Sequence, residues 1–289
     1  MNPVDAGCRR VPAKQGEDSK VNISILTYNT LFAGMDGSDD RRFELQIGLI
    51  DALRPDVFLM QEAKGFDTNG HARLHEWERR LSMRGFLGVA PHTGQNVAIF
   101  IRAPLRALSF EVDDTHFHHA MAMLKVEVPG STAPITFVST HLCPNGPRVR
   151  QAEAAYLTAL AAPDALTLIG GDFNSASPHD PEPADWGGLA PHHRARYLAE
   201  DLAGIDRSVI ARLETAGLVD LGRRLQGSEI PTVPAAGYRD AEFATMRGDY
   251  LFAPRALAER AQRYEVLRTP ETERASDHYP VLLQLDASA

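Results

Sequence analysis

The chain has 289 residues, 44% of them hydrophobic, and its 30 Lys and Arg against 38 Asp and Glu give a formal charge of -8. That is enough apolar material for one substantial core, and the acidic balance argues against a protein gripping nucleic acid over a broad basic face. A few well-placed arginines could still hold one phosphate. The two cysteines, Cys8 and Cys143, stand apart from any Cys/His cluster, which supports neither a disulfide framework nor a zinc site.

Residues 1–20 carry positive charges with no apolar stretch behind them, and no later run approaches a membrane span. They read as a disordered leader on a soluble, cytoplasmic protein. Order is expected from residue 21 to 287, as a single domain without internal repeats.

VNISILTYN, from Val21 to Asn29, alternates and is rich in β-branched residues, which predicts a strand ending at Asn29. A glycine- and aspartate-rich loop follows. Phe43, Ile47, Ile50 and Leu53 then recur at helical spacing, with Asp39 or Asp40 as N-cap and Pro55 as the stop. Val57 to Met60 is a short apolar strand delivering Gln61 and Glu62. Leu74 to Met83 reads as a second helix buried through Trp77 and Leu81. Phe86–Val89 and Val97–Ile101 read as paired strands around PHTGQN, and the β pattern continues over Leu105–Val112 and Met121–Val128. Between these last two lie His116, His118 and His119, read as solvated loop residues.

ITFVSTH is a strand ending in His141, with Ile135, Phe137 and Ser139 on one face. A helix from about Arg148 to Ala161 follows, stopped by Pro163. The next strand, LIGGDFNS, organises the chain: an apolar run breaks at two glycines and then presents Asp172 and Asn174, two apart and therefore able to face one pocket. From Ala176 to Arg207 the sequence is irregular and carries Trp186, His192, His193, Arg194 and Arg196, as expected of a loop that covers or selects at a site, with Trp186 as a candidate lid or platform beside the plainer reading of these as solvated loop residues. Asp206 is placed to cap a helix over Arg207–Ala216 closed by Gly217. GDYLF brings Asp249 to the start of a strand. After a polar loop, TPETERA, SDHYPVLLQL sets Asp277 and His278 ahead of a strand over Val281–Leu285.

Polar residues thus gather at strand ends, which suggests one rim. TYN, LMQE, STHL, GDFNS, GDYLF and SDHYPV stand in the order of the endonuclease/exonuclease/phosphatase superfamily, which the chain resembles from Asn22 to Leu285. The resemblance implies a four-layered α/β/β/α sandwich, two mainly antiparallel sheets packed between helices, with one active site at the sheet ends. It also implies hydrolysis of phosphate esters with Mg2+, or Mn2+ in its place. Glu62 matches the family's metal-binding glutamate, with Asn29 and Asp277 completing or supporting the coordination. His141 and Asn174 match the phosphoryl donors, Asp172 the residue that orients or deprotonates water, and His278, paired with Asp249, the second proton-handling group. Which of Asp172 and His278 is the base stays open. Arg148 and Gln151 match a recurrent feature after STHL, and His193, Arg194 and Arg196 are candidate phosphate contacts.

Three departures narrow the reading. Apurinic-site endonucleases have an aspartate where this chain has Leu31 and a tyrosine where it has His141, and the glutamate of pancreatic-type deoxyribonucleases is not evident in TGQN. With an acidic chain, no export signal and no lipid-binding helix, a small soluble phosphodiester or phosphomonoester is the favoured substrate, without membrane or identifiable protein partner. A DNA or RNA endonuclease or exonuclease is the alternative, and a non-catalytic binding module on the same fold is the alternative of another class.

Overall fold

The structure, a computed structural model, describes residues 21–226, 230–238 and 242–288; the expected leader, with Cys8, lies outside them. Among the described residues twelve strands form: β1 (Asn22–Asn29), β2 (Val57–Gln61), β3 (Arg84–Gly88), β4 (Val97–Ile101), β5 (Arg106–Asp113), β6 (Met121–Glu127), β7 (Ile135–His141), β8 (Thr167–Asp172), β9 (Val219–Asp220), β10 (Asp249–Ala253), β11 (Ala261–Val266) and β12 (Val281–Asp286). They make two six-stranded sheets, ordered β11-β12-β1-β2-β4-β3 and β5-β6-β7-β8-β10-β9. Each sheet holds one parallel pair, β1 with β2 and β7 with β8, among antiparallel neighbours. The expected sandwich of two mainly antiparallel sheets is present.

The alternation in sequence sets the layers. Ile23, Ile25, Val57, Leu59, Val97 and Ile99 face Leu124, Ile135, Phe137, Leu168 and Leu251 in a core between the sheets. Residues of opposite parity, Leu26, Tyr28, Phe58, Met60 and Phe100, face outward under helices α1 (Arg41–Leu53) and α2 (Ala72–Leu81). Trp77 of α2 lies within 6.4 Å, centroid to centroid, of Phe43, Phe58, Phe66 and Phe100. On the other sheet Val138, Ile169, Tyr250 and Phe252 pack under α3 (Pro147–Leu157) and, beyond the one-turn α4 (Pro191–Arg194), α5 (Ser208–Thr215).

Several local expectations change. Asp40 occupies the N-cap position of α1 without a side-chain cap bond, and instead Asp39 Oδ1 accepts the Arg41 N–H at 3.0 Å. At α5 the N-cap position is Arg207, not Asp206, although Asp206 Oδ1 still accepts from the Ser208 hydroxyl at 2.5 Å. β11 was not expected, because as an edge strand it buries only Ala261, Tyr264 and Val266 and leaves Gln262 and Arg263 exposed. TPETERA, expected as a loop, contains a helical turn over Thr272–Ala275.

The two glycines of LIGGDFNS have steric causes. A Cβ on Gly170 would meet Leu59 Cδ1 at 2.6 Å, in the sheet-to-sheet contact, and one on Gly171 would meet the Thr140 carbonyl oxygen at 1.8 Å. Side chains are excluded there, so β8 runs close to both its neighbours.

Candidate active site

Parity carries the inter-sheet core to one end of the sandwich, where it turns polar. On β1 the inward series Ile23, Ile25, Thr27 ends in Asn29; on β7, Ile135, Phe137, Ser139 ends in His141; on β8, Leu168 and Gly170 end in Asp172. β10 runs antiparallel to β8 and opens on the same side with Asp249, directly opposite Asp172, while His141 is opposite Asp172 in the parallel pair. Beneath them a buried polar layer links the sheets, with Gln61 Nε2 donating to Ser139 Oγ at 3.1 Å and Ser139 Oγ to the Met60 carbonyl at 3.1 Å.

Glu62 follows β2 with φ 59°, a left-handed conformation uncommon outside glycine, which turns it out of the strand direction into the site. Its Oε2 accepts the Phe32 N–H at 3.0 Å and its Oε1 accepts from Asn29 Nδ2 at 3.2 Å. Asn29 Nδ2 also reaches Asp172 Oδ2 at 3.1 Å and lies 3.4 Å from His278 Nε2. Asn29 Oδ1 accepts the Leu31 N–H at 3.1 Å, so both ends of the amide are engaged within the site. The Ser276 hydroxyl donates to the Asn29 carbonyl at 2.7 Å and lies 3.2 Å from Asp277 Oδ1.

His278 Nδ1 is 2.8 Å from Asp249 Oδ2, and its Nε2 is 3.6 Å from Asp172 Oδ2. Asp172 Oδ2 is also 3.3 Å from His141 Nε2, and its Oδ1 accepts the Asn174 N–H at 2.9 Å. Asn174, itself left-handed at φ 47°, donates from Nδ2 to the Leu142 carbonyl at 3.0 Å. The eight residues Asn29, Glu62, His141, Asp172, Asn174, Asp249, Asp277 and His278 therefore form one network.

Its electrostatics are divided. Burial, with Asp277 close by, pushes Glu62 up to about 7, and burial raises Asp172 and Asp249 above the usual carboxylate range. Burial opposes charge on His278, but Asp249 and Asp172 outweigh it and hold the ring protonated well above an ordinary histidine. His141 goes the other way, pushed down to about 3 by burial and then by the charge on His278, so its ring is neutral. Ligand atoms of Asp172, Asp249 and His278 lie within 4.8 Å of one another, close enough to share a metal ion.

Some residues central to this arrangement escape the sequence reading. His119, expected in solvent, is 4% exposed; its ring lies 4.4 Å from that of His141 and its Nδ1 2.8 Å from Thr93 Oγ1. Glu153 of α3 is buried and accepts the His118 N–H at 2.7 Å and the Cys143 N–H at 2.8 Å, tying together the loops on either side of His141. Arg150 donates to the Cys143 and Arg196 carbonyls, each at 3.0 Å. The periodicity of PRVRQAEAAYL gives no sign of this, because Arg150 and Glu153 share a face that looks solvated until two loops cover it.

The outer candidates are arranged differently. Arg148 is exposed and paired with Glu200 at 3.0 Å, and Gln151 bridges α3 to α5 through Ser208 and Arg212. His193 Nδ1 is 3.4 Å from Glu242 Oε2, Arg196 pairs with the same carboxylate, and Arg194 is half-buried, its side chain making no hydrogen bond or ion pair among the described residues. Arg196 lies near enough to bear on the His141 ring electrostatically. Trp186 is not a lid or platform: it is 7% exposed, in a small core with Ala176, Tyr197, Val233, Phe243 and Met246.

No helix among the described residues is long and apolar enough to cross a membrane. No curated protein matches the chain in sequence. Three solved structures illustrate the likeness of fold. An endonuclease/exonuclease/phosphatase family protein from Bacteroides thetaiotaomicron matches at TM-score 0.66 and 15% identity, covering 92% of this chain and 98% of its own. An AP endonuclease from Archaeoglobus fulgidus matches at 0.64 and 21%, covering 91% and 99%. ANGEL2, a 2',3'-cyclic phosphatase, matches at 0.62 and 16%, covering 92% and 95%. The sequence model of the endonuclease/exonuclease/phosphatase family matches residues 26–278, a span that includes every member of the network, and the chain belongs to that family.

Proposed function

We propose that the protein is a divalent-cation-dependent hydrolase of phosphate esters, acting on a small soluble phosphomonoester or phosphodiester. The observation that carries this reading is the crowding of Glu62, Asp172 and Asp249 into one buried site, each with its carboxyl raised by burial. Ionising carboxyls this close together and this poorly solvated is costly unless a cation compensates them, and their oxygens suit a hard ion such as Mg2+ or Mn2+. Glu62 and Asp277 would hold it, with Asn29 keeping Glu62 in place. When bound, a divalent ion neutralises charge on the phosphoryl and leaving oxygens. Asp172, Asp249 and His278 form a second donor set, but the 2.8 Å bond between Asp249 and His278 suits them better to moving protons.

The remaining roles follow from protonation. His278 is already held protonated by Asp249, so it has no capacity to accept a further proton and serves as donor to the leaving oxygen from Nε2. Asp172 takes the proton of the attacking water, its raised affinity for protons making it the better base. Neutral His141 donates from Nε2 to a phosphoryl oxygen, and Asn174 holds Asp172 through its backbone N–H. The experiment is a panel of nucleotides, sugar phosphates, inositol phosphates and plasmid DNA with Mg2+. Turnover of small esters is expected. Efficient nicking of the plasmid with no small-ester turnover would replace this reading by a nuclease, and no turnover at all would leave a binding module.

A further inference from the structure

Three consecutive residues between β1 and α1, Leu31, Phe32 and Ala33, have φ of 45°, 61° and 55°, and none is glycine. Left-handed backbone in three successive side-chain-bearing residues persists only where its surroundings enforce it. Here the buried Arg42 does so, donating from Nη1 to the Thr30 carbonyl at 3.0 Å and to the Leu31 carbonyl while its Nη2 holds Asp36 at 2.6 Å. Gln46 Nε2 adds bonds to the Thr30 carbonyl at 2.7 Å and the Ala275 carbonyl at 2.6 Å. At the end of the loop Gly34 leaves no room for a Cβ, which would come within 2.6 Å of Phe43 Cα. The loop is built to present what it carries in one position.

It carries Phe32 to the edge of the site. The backbone N–H of Phe32 is bound to the Glu62 carboxylate at 3.0 Å, and its ring is only partly buried. Over that ring, at 4.3 Å from its centroid, stands the ammonium of Lys64, two residues beyond Glu62. Lys64 and Lys125 are the only lysines among the described residues, and Lys64 is exposed with no acidic partner among them. Neighbouring Met35 is 41% exposed and extends the apolar rim. A cation without an acidic partner and a fixed aromatic face stand together beside a carboxylate-rich site, and their chemistry is complementary to an anion joined to a flat ring.

We propose that Phe32 and Lys64 form a subsite for the non-reacting part of the substrate, the ring stacking on an aromatic group and the ammonium taking an anionic oxygen. The preferred ester then carries a nucleobase or a comparable aromatic system. This rests on the phosphoester reading and narrows it. In the free protein Lys64 covers the Phe32 face, so binding moves the ammonium from the ring to the anion as the ligand's aromatic group takes its place.

The test is calorimetric binding of AMP and of ribose 5-phosphate, which share a phosphate and differ by the base, to full-length Asp172→Asn protein with Mg2+. AMP is expected to bind about tenfold tighter or better, the range for stacking a base on an aromatic side chain. Adding Phe32→Ala or Phe32→Leu should abolish that preference while leaving ribose 5-phosphate affinity in place, and Lys64→Met should weaken both ligands several-fold. Phe32→Leu keeps apolar bulk and the backbone bond to Glu62, so its loss of preference separates a stacking face from a support for the glutamate. Equal affinity for the two ligands, or a preference that survives Phe32→Ala, would overturn the subsite. The turnover panel judges the hydrolase reading separately: a base preference without turnover sinks the hydrolysis and keeps the subsite, and turnover without a base preference does the reverse.

Discussion

Replacing Glu62 by Gln removes the carboxylate that burial and Asp277 push from 4.5 to about 7. That displacement corresponds to ~3 kcal/mol against ionising this group in the cation-free folded protein. The sign follows from proton counting. Folded protein keeps a proton that the unfolded chain has already released, so this group's share of stability is greatest below pH 4.5 and is lost as pH rises to about 7. A cation requires the ionised form, so binding below about pH 7 must displace that proton. The ionised fraction of a group with this pKa rises from about 0.1 at pH 6 to about 0.9 at pH 8, and the apparent affinity for Mn2+ should rise roughly tenfold over the same interval. Mn2+ titrations followed by electron paramagnetic resonance measure this directly. In Glu62→Gln binding should be weak and its pH dependence flatter, with the fold intact by circular dichroism. Native affinity, or the same tenfold rise, in the variant would show that Glu62 does not hold the ion.

Arg247 is buried between Asp180 and Asp220, with Nη2 at 3.0 Å and 2.8 Å from them, so Arg247→Met should lower stability in urea by ~3–5 kcal/mol by removing the buried cation that balances both carboxylates. A loss under ~1 kcal/mol would show that this ion network is not structural. Gly171→Ala would drive a Cβ against the Thr140 carbonyl and should prevent soluble, folded expression; a variant with native Tm would contradict the close approach of β7 and β8. Trp186→Phe should lower Tm by a few degrees and leave KM unchanged, since its ring is in a core. A clear rise in KM would restore the indole to the substrate.

The polar rim is legible because its residues end inward-facing strand series, and that parity is written in the alternation of VNISILTYN and ITFVSTH. Glu62 and Asn174 also stand out in sequence, although their left-handed backbone does not. What escaped was whatever depends on loops folding back. His119 belongs to a polar stretch, HFHHAM, whose hydrophilicity fits either solvent or a site wall, and only its packing against His141 decides. Trp186 misled for the converse reason: in a proline-rich loop it suggested an exposed platform, but that segment folds onto Phe243 and Met246 as a small core of its own. Arg196 was a plausible phosphate contact by type, yet Glu242, distant in sequence, already pairs with it. The edge strand β11 went unseen because a half-buried edge has too few apolar residues to show a period.

The claim on which all of this rests is that the network around Asp172 is one cation-dependent phosphoester site. Its most direct test is initial-rate hydrolysis across the ester panel for the native chain, the chain after EDTA treatment, the same chain resupplied with Mg2+, and Asp172→Asn. The expected result is turnover that EDTA abolishes, Mg2+ restores, and Asp172→Asn reduces by at least about a hundredfold. Turnover that is indifferent to EDTA, or that survives Asp172→Asn at the native rate, would contradict it.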